Sequence, residues 1–407
     1  MTETYFQKGF GLRSEVRPEL EARYRSQVVD RMREEDNRAV LGDLTFLLAR
    51  EFGFCYGVER AVDYAYETVR QFPDRRIFLT GEIIHNPQVN QELKQRGIHF
   101  LQDTPDLDTR YAPVTGDDVV VVPAFGVPRA DMDHLAAIGC VVVDTTCGSV
   151  LNVWKNVERY ASLGVTSIIH GKFEHEETRA TFSRTTIRPD AHYLVVRNLD
   201  EAAYACDYIV SGGDRHAFLE RFRDAVSAGF DPDRHLERVG LANQTTMLSS
   251  ESLQVSGMFR DAIVRRSGEA ALADRFIAFD TICSATQDRQ DAIVAMRDLG
   301  LDLMLVIGGY NSSNTNNLAR IASTFTAAYH IEDATSIVSP GRIRHKLPGR
   351  HEEIETEAWL GNGPRRIGLT AGASTPNSQL GEAIERIVGF RDRIGFLQLK
   401  EFVHARS

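Results

Sequence analysis

The chain has 407 residues, with 47 Lys and Arg against 57 Asp and Glu, a net charge of −10. That length holds more than one domain, and the acidic balance argues against nucleic acid or an anionic membrane as the main partner. Hydrophobic residues at 43% and charged residues at 26% fit a globular protein, and five cysteines are too few, and odd in number, for a disulfide scaffold. No apolar run nears the ~18 residues needed to cross a membrane. The first residues lack the apolar core of a signal peptide, and no transit peptide is read. The expected compartment is the reducing cytoplasm.

Residues 1–44 read as an N-terminal extension. Positions 14–40 are rich in Glu and Arg, with Val28, Val29, Met32 and Val40 scattered among them. This pattern predicts a polar helical arm packed lightly on the body, with a partner-docking arm as the alternative. From residue 45 onward, short apolar runs alternate with amphipathic stretches, as in βαβ units with mainly parallel sheets.

In chain order, the runs end on polar or small residues that open helical patterns. TFLLAREFGFC ends at Cys55, and RIFLTGEIIHN at His85 and Asn86. VVVVPAFGVP carries Phe125, and VVVDTTC ends at Cys147. VTSIIHGKFEHEET offers His170, His175, Glu176 and Glu177, and RVGLANQTTM offers Asn243, Thr245 and Thr246. IAFDTIC ends at Cys283, LMLVIGGYNSSN at Asn311, Ser312, Ser313 and Asn314, and IGLTAGAS at Thr370 and Ser374. Three cysteine ends, three His/Asn/Ser ends and three further ends make a threefold pattern. The reading is three α/β repeats, at 45–147, 148–282 and 283–380, with a C-terminal tail at 381–407. In open parallel sheets ligands bind outside the carboxyl ends of strands, so a threefold arrangement would aim these ends at one centre.

Cys55, Cys147 and Cys283 lie 92 and 136 residues apart. Zinc ribbons and ferredoxin runs use close pairs instead. Each cysteine begins a helical pattern, where free N–H groups favour thiolate. Three thiolates suit a cubane iron–sulfur cluster with one open iron, or a zinc ion with one open site. The residues alone leave both open, and neither as well. Cys140 and Cys206 sit in apolar patterns and read as small core residues. His, Ser, Asn and Thr donors at helix starts can bind phosphate without a strong positive field. Glu177 is either a first-turn helix residue or an acid that moves protons. Gly308-Gly309 marks a turn and a close approach by a ligand.

The segments FGFCYGVERAV, EIIHN, PAFGVP, DTTC, EHEET, NQTTM, TICSATQDRQ, NSSNTNNL and TAGAS occur in that order over about residues 45–378. Together they resemble the 4-hydroxy-3-methylbut-2-enyl diphosphate reductase family, which closes the methylerythritol phosphate route to isoprenoids. The extended N-terminus and the AFG segment look like the longer branch of photosynthetic organisms. The resemblance implies three α/β domains in a pseudo-threefold trefoil with mainly parallel sheets around a central iron–sulfur cluster. It implies one [4Fe-4S] cluster on Cys55, Cys147 and Cys283, with the fourth iron open to substrate. His85, His175, Thr246, Ser312, Ser313, Asn314 and Ser374 would surround a small-molecule diphosphate. Glu177, with Thr245, would carry protons to the substrate hydroxyl. A ferredoxin or flavodoxin type donor would supply electrons, and neither nucleic acid nor membrane would be a partner. Phe125 departs from the pattern, since many bacterial members have a phosphate-binding histidine there. Two rival readings are a zinc hydrolase and a non-enzymatic iron–sulfur sensor.

Overall fold

A computed structural model describes residues 4–279, 281–350, 352–391 and 393–404. The chain is mixed α/β with mainly parallel sheets. It divides into two compact units. One comprises Met1–Lys8, Phe72–Ile83 and Gly97–Cys283, and the other Gly9–Gln71, Ile84–Arg96 and Ser284–Ser407.

The first unit carries two sheets. The five-stranded one runs Tyr5–Phe6, Val141–Asp144, Val119–Val122, Ile77–Leu79, Ile98–Phe100, with every pair parallel. The four-stranded one runs Phe276–Ala278, Val239–Asn243, Thr166–His170, Tyr193–Val196, again all parallel. Strands 119–122 and 166–170 are buried along their whole length. That is why 119–122 reads as an unbroken run of valine rather than as alternation.

The second unit carries one eight-stranded sheet. Its parallel centre is Ala327–Ile331, Leu303–Ile307, Arg365–Ala371 and Leu44–Leu48. Antiparallel strands close both sides: Arg38–Leu41 pairs with 44–48, and Arg342–Lys346 joins 327–331, Ile337–Ser339 and Glu353–Glu357.

Strand pairing groups the segments differently from the expected repeats. Strand 44–48, which leads to Cys55, bonds to strand 365–371 and not to the strands of 45–147. Each sheet still receives one end of each class. The five-stranded sheet has the strands leading to His85, Phe125 and Cys147. The four-stranded sheet has those leading to His175, Thr245 and Cys283. The eight-stranded sheet takes its cysteine, Cys55, from the start of the chain, and its other ends from 303–307 and 365–371. Sequence order cannot reveal this, because a parallel strand pairs across long stretches of chain.

The N-terminal segment is not a lightly packed arm. Helix Gln27–Glu34 is capped by Ser26, whose Oγ accepts the Val29 N–H at 3.4 Å. Val28, Val29 and Met32 share one helix face and are buried in the same core as Phe46, Leu369 and Ile384. Nor is 381–407 a loose tail. Helix Asn377–Arg391 buries Leu380, Ala383, Ile384, Ile387 and Val388 in that core, and Leu399 of helix Arg393–His404 joins them. Residues 1–3 and 405–407 lie outside the described residues. Cys140 and Cys206 sit in the cores of the first unit, as expected. Burial pushes their thiols up to about 11 and about 12.

His330, on a central strand of the second unit, is buried and donates from Nε2 to the Gly308 carbonyl at 2.9 Å. Burial first, then nearby Lys346 and His345, lowers its pKa to about 4, while its bond to Gly308 opposes the shift. The fold thus favours the neutral ring. Its contribution is complete above the unfolded value of about 6.5 and is lost as pH falls toward 4, at most about 3 kcal/mol. Urea denaturation between pH 7 and 4 should show this decline. His330→Gln keeps a donor for Gly308 without titrating, so it should flatten the profile; an unchanged slope would refute the assignment.

Candidate active site

In the first unit, strand 141–144 ends at Asp144 and the chain turns into helix Gly148–Ser162, with Cys147 at its N-cap. The Cys147 N–H donates to the Ala124 carbonyl at 2.8 Å, which ties the DTTC turn to the loop bearing Phe125. The N–H groups of Ser149 and Val150 favour the Cys147 thiolate, as the helix start predicts. Burial outweighs them, and Cys283 adds to it, so the Cys147 pKa is raised overall. Cys147 and Cys283 are both half-buried, and Cys283 lies near enough to act on Cys147. That donor set suits a bound cation, which would reverse the balance.

His175 caps helix Glu176–Phe182, its Nδ1 accepting the Glu177 N–H at 3.2 Å. An accepting Nδ1 leaves the proton of the neutral ring on Nε2, a tautomer inferred from the bonding. Phe125 meets the His175 ring edge-on, with centroids 6.3 Å apart. Glu177 is 2% exposed, and its Oε1 accepts the Thr245 N–H at 2.5 Å. The NQTT loop is fixed by Gln244, which the sequence reading passed over. Its Oε1 accepts from the Lys172 N–H and the Thr178 hydroxyl, both at 3.2 Å, and its Nε2 donates to Thr246 Oγ1 at 2.7 Å. A buried glutamine between two named motif residues was the available signal.

In the second unit, the peptide of Ala373 joins two motifs. Its carbonyl accepts the Cys55 N–H at 3.1 Å, and its N–H donates to Asn314 Oδ1 at 3.0 Å. Ser374 follows directly and is half-buried. Cys55 precedes helix Tyr56–Gln71. Arg289, also missed, is 4% exposed and donates through Nη2 to the Gly53 carbonyl at 2.8 Å and through Nη1 to Ala285 at 2.7 Å. It fastens the turn before Cys55 to the helix that follows Cys283. Ser312 caps helix Ser313–Ala322 by accepting the Thr315 N–H at 3.2 Å. Ser313 and Asn314 are buried in its first turn. Asn314 Nδ2, Thr315 Oγ1 and Thr370 Oγ1 are buried and make no hydrogen bond among the described residues. Natural proteins seldom leave such groups unused except where a ligand or water completes them.

His85 is buried beside Asn86, which caps helix Pro87–Gln95. Gly308 and Gly309 also let neighbouring parts of the chain come close. A Cβ on Gly309 would stand 2.6 Å from the His85 carbonyl oxygen, and one on Gly308 would collide with Thr375 Oγ1. The predicted residues thus fall into two sets. Cys147, His175, Glu177, Thr245, Thr246 and Cys283 belong to the first unit, and Cys55, His85, Ser312, Ser313, Asn314 and Ser374 to the second. Gly309→Ala should push the His85 loop away, destabilise by about 1–3 kcal/mol, and cut turnover. A variant with unchanged melting temperature and rate would show that this contact is slack.

Comparison with known proteins agrees over most of the chain. The 4-hydroxy-3-methylbut-2-enyl diphosphate reductase of Cyanothece sp. is 46% identical over 388 residues, covering 95% of this chain and 94% of the relative. The protein of the same name from Gloeobacter violaceus is 47% identical over 392 residues, covering 95% and 92%. A solved structure of (E)-4-hydroxy-3-methyl-but-2-enyl diphosphate reductase, described as the terminal enzyme of the non-mevalonate pathway, matches with a TM-score of 0.51 at 26% identity, over 84% of this chain and 98% of that one. The E-1-hydroxy-2-methyl-but-2-enyl-4-diphosphate reductase of Plasmodium falciparum shares the fold, with a TM-score of 0.63 at 18% identity, over 86% and 89%. The family model described as LytB protein matches residues 46–388, and the chain belongs to that family.

Proposed function

We propose that the chain is a 4-hydroxy-3-methylbut-2-enyl diphosphate reductase. The allylic alcohol takes two electrons and two protons. The C–O bond breaks, the hydroxyl leaves as water, and a C–H bond forms at one end of the allyl unit, giving isopentenyl or dimethylallyl diphosphate. The observation that carries this reading is kinship along nearly the whole chain to reductases of that name, with the reading's chemistry-bearing residues at strand ends.

Cys55, Cys147 and Cys283 would hold one [4Fe-4S] cluster, which when bound supplies single-electron transfer and, at its open iron, a Lewis acid for the hydroxyl. Cys147 stands at the N-cap of its helix, where such a ligand sulfur can face the cluster. Glu177, held by the Thr245 N–H, delivers the proton that leaves in water. His175 offers Nε2–H to a phosphate oxygen, because its Nδ1 is already engaged. Asn314 offers Nδ2, and Ser312, Ser313, Ser374, Thr246 and His85 complete the donors. Phe125 offers no hydrogen bond, so the neutral donors of the other segments carry the anion. A ferredoxin or flavodoxin type carrier in a reducing cytoplasm supplies the electrons. The three sheets represent one repeated unit, the last copy taking its cysteine from the start of the chain.

The test is iron and sulfide analysis of anaerobically purified protein, with turnover driven by a reduced viologen dye. Zinc without iron would point to the hydrolase, and a full cluster without turnover to the sensor. Cys55→Ser, Cys147→Ser and Cys283→Ser should each lose iron, while Cys140→Ser and Cys206→Ser retain it. Iron loss in Cys206→Ser would break the ligand assignment. Glu177→Gln keeps an oxygen for the Thr245 N–H but cannot give up a proton. It should bind substrate normally and turn over about 10²–10⁴-fold more slowly. A near-normal rate would move the acid elsewhere, with His175 first in line.

A further inference from the structure

We propose that Tyr5 is a positioning residue for the loop that presents Cys147. The inference rests on reading Cys147 as a cluster ligand. Strand Tyr5–Phe6 lies parallel to Val141–Asp144, with Tyr5 opposite Val142. The Val142 N–H donates to the Thr4 carbonyl at 2.7 Å. This seats the phenol beside the end of the strand, where Tyr5 Oη donates to Asp144 Oδ2 at 2.6 Å. Gln7 Nε2 donates to Tyr5 Oη at 2.8 Å and reaches Asp144 Oδ2 only at 3.4 Å. The other oxygen, Asp144 Oδ1, accepts the Thr146 N–H at 2.9 Å and the Thr146 hydroxyl at 2.5 Å. Cys147 is the next residue.

Asp144 is thus a two-sided clip. One oxygen is held by the N-terminal strand, and the other closes the turn that aims the Cys147 sulfur. Asp144 and Thr146 are buried, so a carboxylate oxygen that loses its donor finds little water to replace it. Without the phenol, Oδ2 keeps only the long contact to Gln7, and the carboxylate can rotate away from Thr146. Tyr5 itself is 41% exposed at a sheet edge, so Tyr5→Phe removes a hydrogen bond without opening a core cavity.

The experiment follows iodoacetamide alkylation of Cys147 and Cys283 by peptide mass spectrometry in the full-length chain stripped of metal. Tyr5→Phe should speed alkylation of Cys147 by about tenfold or more, the scale of a lost hydrogen bond to a charged group. Cys283 should change less than Cys147. Asp144→Asn should also speed Cys147, and Tyr5→Phe should add nothing in that background. In metal-loaded protein, Tyr5→Phe should alter the electron paramagnetic resonance spectrum of the reduced centre and speed iron loss to a chelator. Unchanged Cys147 alkylation would overturn the proposal. So would independent, multiplying effects in the double variant, since Tyr5 would then act by another route. Absence of iron in the wild-type protein would overturn the cluster reading instead, and the alkylation result would still decide the role of Tyr5.

Discussion

A parallel sheet brings the carboxyl end of every strand to one edge. The chemistry of this chain depends on that constraint. Side-chain polarity is excluded from a strand buried on both faces such as 119–122, and returns where that strand stops. The helix that follows each strand starts with N–H groups lacking intrahelical partners. So a strand end that leads directly into a helix can gather a polar side chain and helix-start donors at once. Cys147, His175 and Ser312 each occupy the N-cap of such a helix, and Asn314 lies in a first turn.

Helix starts do not by themselves make reactive groups. At Cys147 two N–H groups favour thiolate, yet burial and a second sulfur prevail. The same burial surrounds Glu177, whose Oε1 accepts the Thr245 N–H in a place with little water. These arrangements act through ordinary hydrogen bonds made strong by exclusion of solvent. They need rigid support, and Gln244, Arg289 and the Ala373 peptide provide it. None of those three donates chemistry, yet each holds two or more motif segments in register.

The motif residues were legible because a strand end followed by a helix start is a local pattern, carried by adjacent residues. The family resemblance added roles that spacing alone left open between iron–sulfur and zinc. What stayed hidden was non-local. Val28, Val29 and Met32 looked isolated among Glu and Arg because their partners, such as Phe46 and Ile384, lie far along the chain. Strand 44–48 looked like the start of one repeat and pairs with the last strand of another. Arg289 and Gln244 lay unremarked inside quoted segments, and only burial with satisfied hydrogen bonds reveals them as supports. The glycine pair was noticed, but the loops that fill the space beside it were not, since a sequence does not say what approaches a turn.

The proposed substrate and both proposed products carry the same diphosphate. A grip on that group binds all three alike, and uniform binding does not lower the barrier of the chemical step. Tight ionic clamps would therefore slow product release without speeding the reaction. Neutral donors such as Asn314 Nδ2 and the His175 ring suit that requirement, as does a chain with net charge −10. Discrimination must come from the end of the molecule that changes, where a hydroxyl is present in the substrate and absent in the products. Glu177 and Thr245 are the pair assigned to that end, and both are buried. The proposed division of labour follows from the molecules themselves: hydrogen bonds that persist hold the anion, and the assigned acid meets the bond that breaks.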